Sequence, residues 1–150
     1  MIDPTSVTMQ EIFDIAYRGM ESQGFRKCER LIRDMSVCVY DDGKGNHCAW
    51  GWVEKAYNGC VGLDSEEDTS VIELANVGIG LAGELARLGR RRVLDLARSL
   101  QMGHDSSYSP EEMSSHLRNV ARYYDLTVPD SATAGQGCDA TDGTTGGVAS

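Results

Sequence analysis

Apolar residues recur at helical spacing over most of this chain, and only one stretch breaks the pattern. Thr8-Met-Gln-Glu11 forms a capping box, and Ile12, Phe13, Ala16 and Met20 follow on one helical stripe. Gly24 is placed to end that helix in the left-handed conformation. Phe25, Cys28, Leu31 and Ile32 keep helix-like spacing without a cap, so the pattern over Phe25 to Asp34 predicts a weak helix. Val37 to Tyr40 is then β-branched and aromatic, Asp41 to Asn46 is a run of turn formers, and apolar residues resume at Cys48. This predicts a β-hairpin at about residues 36–49. Ala49, Trp52, Val53 and Ala56 return to helical spacing, which predicts a short helix with Trp52 on its inner face.

The second half reads as helices throughout. Gly59 to Asp68 is a loop by composition, ending in the acid run Asp64, Glu66, Glu67 and Asp68. Ser70-Val-Ile-Glu73 is a second capping box and predicts a central helix of about 18 residues, with Ile72, Ala75, Ile79, Ala82 and Ala86 along its seam. Leu74, Leu81, Leu85 and Leu88 widen that seam. Gly89 breaks it, and Arg90, Arg91 and Arg92 fall where cations oppose the negative pole of the preceding helix. Val93, Leu96, Ala97 and Leu100 start another helix, which Gly103 is expected to close. Ser109-Pro-Glu-Glu112 opens the last one, with Met113, Leu117, Val120, Ala121 and Tyr124 on one face. From Asp130 the chain is mostly glycine, threonine and alanine, too poor in apolar surface to offset the entropy of ordering. The predicted class is α+β and predominantly helical: a compact domain of four to six helices with one small hairpin over residues 1–129, then a disordered polar tail over 130–150.

Composition narrows the function classes. With 150 residues and 41% hydrophobic content the chain can bury one core. Its net charge of −9 argues against direct binding of nucleic acid and in favour of basic protein surfaces, including grooves that themselves hold nucleic acid. No apolar run long enough to cross a membrane occurs, and the N-terminus lacks the basic start and apolar core of a signal peptide, so a cytoplasmic location is expected. The odd count of five cysteines, standing far apart, suits free thiols better than a disulfide framework or a zinc site. No metal or cofactor is expected.

Two constellations invite a chemical reading. Gly78, Gly80 and Gly83 match the dinucleotide-binding glycines, but a capped helix precedes them where that motif needs a strand, and Asp95 arrives too early for the ribose-binding acid. Close approach of another element explains those glycines better. Cys48 falls where a strand meets a helix N-terminus, a place that lowers a thiol's pKa. With His104 or His47 as base and Asp105 as orienter it would make a small cysteine-dependent hydrolase. Against this, His104 and Asp105 are neighbours that rarely both face one site. The plainer reading makes His104 a helix-end residue and Asp105 a turn opener. Trp50 and Tyr57 share a face apart from the Trp52 stripe, open to a partner or packed in the core.

The motifs Gly45-Asn-His-Cys48-Ala-Trp-Gly51, Tyr57, Leu100-Gln-Met-Gly-His-Asp105 and the closing Tyr124-Asp-Leu-Thr-Val-Pro129 resemble those of small phage and prophage proteins. Those proteins carry a DG…CAxG hairpin and an LQxxHD motif before the last helix. The resemblance spans roughly Thr8 to Pro129 and departs at Trp50 and Trp52, where aliphatic side chains are usual. It implies a phage-related accessory protein, a class that includes inhibitors of host defence, and it implies no activity, cofactor or catalytic residue. The expected function is therefore binding of a host protein in the host cytoplasm, with Asp64, Glu66, Glu67, Asp68, Trp50 and Tyr57 as contact residues. The hydrolase built on Cys48, His104 and Asp105 is the alternative.

Overall fold

The computed structural model describes residues 2–59 and 70–130. In chain order the elements are α1 (Met9–Ser22), β1 (Glu29–Ile32), β2 (Met35–Cys38), α2 (Ala49–Asn58), α3 (Val71–Val77), α4 (Gly80–Arg87), α5 (Arg91–Asp105) and α6 (Pro110–Tyr123). The fold is α+β and predominantly helical, with one two-stranded antiparallel sheet among the described residues. Here α5 is the central helix, since it packs against each of the other five. Its Leu96, Ala97 and Leu100 meet a core that includes Ile12, Phe13 and Met20 of α1, Trp50 and Val53 of α2, Leu81 and Leu85 of α4, and Met113 and Leu117 of α6. No helix among the described residues is long and apolar enough to cross a membrane.

The local start signals hold. Thr8 and Ser70 both form reciprocal capping boxes, with Glu11 and Glu73 returning the bond to the cap backbone. Ser109 accepts from the Glu112 amide at 3.1 Å, with Pro110 at the first helical position. Each side-chain oxygen satisfies an amide that has no partner inside its own helix. Gly24 takes a φ of 69° just past α1, as expected.

Five expectations need correction. The segment from Phe25 to Asp34 is not helical: Glu29–Ile32 is a strand, paired in the register Glu29 to Cys38 and Ile32 to Met35. The hairpin therefore starts earlier than residue 36, and its turn is Arg33-Asp34, both left-handed with φ of 52° and 65°. Such a two-residue turn matches the twist of the strands but usually recruits Asn or Gly, so this pair gave no turn signal. The expected turn Asp41 to Asn46 does exist, closed by a single bridge between Asp41 and His47 instead of a ladder. Asp42 shapes it by accepting from the backbone amides of Lys44 and Asn46 at 2.7 and 3.1 Å.

The long helix expected from Ser70 is two short ones. Gly78 (φ 76°) ends α3 in the left-handed conformation, and α4 starts at Gly80. Two seam residues, Ile72 and Ile79, consequently face solvent, while Val71, Leu74, Leu81 and Leu85 are buried. In the opposite sense, Gly103 does not stop α5, which continues to Asp105 with Gly103 lying against His116. Arg91 and Arg92 are also relocated: they open α5, at its positive pole. The acid run and the tail beyond Asp130 lie outside the described residues.

Candidate functional site

The junction of the Asp41–His47 turn with α2 brings together most of the side chains singled out for chemistry. Cys48 is the N-cap of α2, and its sulfur accepts from the Gly51 amide at 3.2 Å. The thiol is buried, and that burial pushes its pKa well above the ordinary 9.0, the reverse of what an exposed helix N-terminus would do. The sulfur thus serves the helix as a serine hydroxyl would.

His104 and Asp105 do face each other, contrary to expectation, with Nδ1 of the ring 2.8 Å from the carboxylate. Nε2 accepts the Cys28 amide at 2.9 Å, so a neutral ring carries its proton on Nδ1 and donates it to Asp105. Both nitrogens are committed, and no lone pair is left to take a proton from a thiol. His47, the other suggested base, is buried with Nδ1 lacking a hydrogen-bond partner and 3.9 Å from Asp41. Burial lowers its pKa, and its ring meets Trp52 edge-on at 4.5 Å. Cys38, which sequence reasoning passed over, has its sulfur within 4.8 Å of ligand atoms of His104 and Asp105. A metal ion there would have to displace one of the two hydrogen bonds that hold His104, so the trio fits a metal poorly.

The two tryptophans exchange their expected places. Trp50 is fully buried and so cannot serve as an exposed contact, whereas Trp52 is half-buried over Gly19 of α1. The buried face of α2 runs through Ala49, Trp50, Val53 and Glu54, so Ala49 and Val53 are buried as expected while Trp50 takes the place expected of Trp52. Trp52 donates to Gln23 at 3.0 Å, and Tyr57 is half-buried.

Glu54, unnoticed in the sequence, is the most heavily bonded acid in the interior. Its carboxylate accepts from Trp50 Nε1 at 3.0 Å and from the Leu81 and Ala82 amides at 2.8 and 3.2 Å, anchoring the start of α4. A Cβ on Gly80 would lie 2.5 Å from that carboxylate, which explains the glycine without any nucleotide. Gly83 is tighter still, since a Cβ there would run into the backbone of Gly78. The signal that could have revealed Glu54 is an acid spaced four residues after Trp50 on an otherwise apolar face.

Outside this interior the hairpin stands apart. Its strands pack chiefly on each other, and Leu31 and Met35 are 75% and 66% exposed. The strand register puts Leu31 on one face and Met35, beside Ile32, on the other. Comparison with protein-family models, with curated proteins and with solved structures finds no match to this chain.

Proposed function

We propose that this protein acts by binding a protein partner, as a phage-related accessory protein that blocks a host protein. The observation that carries the proposal is the hairpin, a pair of strands with exposed apolar side chains on both faces and, among the described residues, no further strand paired to either edge. A two-stranded sheet is marginal alone, and open edges with exposed apolar residues favour pairing with another chain. The fixed hydrogen bonding of Cys48 and His104 supports binding over the hydrolase alternative. The resemblance in the motifs around Cys48 and His104 supports the phage-related class. The acid run at Asp64, Glu66, Glu67 and Asp68 gives such a protein a means to approach a basic surface.

Affinity capture from a bacterial host lysate, wild type beside a Leu31→Asp/Met35→Asp variant of unchanged thermal midpoint, tests the reading. A partner retained by the wild type and lost by the variant is expected; equal retention by both would remove the hairpin from the proposal.

A further inference from the structure

On the side formed by α5 and α6 lies an open groove of about 840 Å³. Arg92, Asp95, Arg98 and Met102 line it from α5, and Asn119 and Tyr123 from α6. Two arginines therefore face one aspartate in a chain whose net charge is −9, which makes the groove a basic island. Neither Arg92 nor Arg98 has an ion pair or hydrogen bond among the described residues, although α5 offers them Asp95 at the helical spacing that favours pairing. The first turn of α5 contains no acid, which leaves Asp95 as the one carboxylate lining the groove.

Between and beside these cations the groove is apolar and aromatic. Met102 is 59% exposed and Tyr123 82% exposed, and the Tyr123 ring meets Tyr124 edge-on at 5.0 Å. The Tyr124 hydroxyl in turn lies 3.0 Å from Ser99, which fixes the aromatic pair to α5. An exposed tyrosine and an adaptable methionine flanked by unpaired guanidiniums suit one kind of ligand well.

We infer that the α5–α6 groove docks an acidic peptide segment of a protein partner, seating an apolar side chain against Met102 and Tyr123 and carboxylates on Arg92 and Arg98. The planar guanidinium fork matches a carboxylate in two-point contact, and Asn119 can bond the peptide backbone. A nucleic acid strand fits less well, because only two cations line the groove, enough for a pair of carboxylates but not for a run of phosphates. This surface is independent of the hairpin.

The test uses the full chain, isotope-labelled for amide chemical-shift mapping, and a short capped peptide of glutamate and glycine carrying two leucines. Expected are shifts centred on Arg92, Arg98, Met102 and Tyr123, weaker binding as sodium chloride rises, and a loss of at least about tenfold in affinity for Arg92→Glu/Arg98→Glu. The thermal midpoint of that variant checks that it folds. The same peptide with lysine for glutamate should not bind. Shifts elsewhere, equal binding of the lysine peptide, no shifts at millimolar peptide, or tighter binding of oligothymidylate would each overturn the inference.

Discussion

Glu54 shows how one buried side chain can hold two helices in place. Three N–H donors converge on a carboxylate that burial removes from water. Burial raises its pKa above the ordinary 4.5, against the pull of those donors. The folded chain consequently holds this proton to higher pH than the unfolded chain does. The stability that protonation contributes is complete below about 4.5 and is lost as pH rises through the raised value. Glu54→Gln should therefore flatten the stability curve above that point in urea titrations run across pH; an unchanged slope would count against the assignment. The same substitution swaps an acceptor oxygen for a donor facing backbone amides, at a cost of about 1–3 kcal/mol at neutral pH. The thiols carry a second prediction. Cys28 is pushed up to about 12 by burial and by the neighbouring Asp42 and Asp41, and Cys48 also lies well above its ordinary value. Iodoacetamide at pH 8 should spare both in the folded protein and modify both in urea, as read by peptide mass spectrometry. Rapid modification of folded Cys48 would restore the nucleophile. Cys48→Ser should stay within about 1 kcal/mol of wild type, because serine caps a helix at least as well as the sulfur does.

At the scale of elements, what the chain announces locally it also builds. Thr8, Ser70 and Ser109 were legible as caps because each cap and its partner lie within one turn, where no distant packing intervenes. Ser109→Ala should lower stability by about 1 kcal/mol, seen as a shift in urea midpoint without a change in slope. The misread elements were decided by partners far along the chain or by unusual turn chemistry. Gly78 and Gly80 could have sat inside one helix, and it is Glu54, 27 residues before Leu81, that makes a separate start for α4 favourable. Trp50 and Trp52 changed places because burial on α2 depends on where α1 and α4 lie, which apolar spacing alone does not encode. β1 escaped notice because Arg33-Asp34 is a poor sequence for a left-handed pair. That last point is testable. Replacing Arg33-Asp34 with Asn-Gly should raise stability by about 1 kcal/mol by relieving the left-handed backbone cost. A drop in the urea midpoint would show that the two side chains are needed where they stand.

At the scale of the whole molecule, the apolar contact and the negative charge of the proposed complex fall to different parts of the chain. Leu31 and Met35 offer apolar surface on the hairpin, while the four acids of Asp64, Glu66, Glu67 and Asp68 concentrate negative charge in a chain already at −9. The two features should act on different rate constants of the proposed complex. Long-range attraction to a basic surface speeds encounter and is screened by salt over about 10 Å at 0.1 M, whereas desolvated apolar contacts mainly set how long the complex lasts. With the captured partner immobilised on a biosensor, replacing the four acids by Ser or Asn should slow association and flatten its dependence on sodium chloride, leaving dissociation nearly unchanged. Leu31→Asp/Met35→Asp should do the reverse and speed dissociation. Equal salt dependence of association in the wild type and the four-acid variant would assign the encounter to another charged face. A slowed dissociation in the acid variant would mean that those acids sit inside the contact and cost desolvation there.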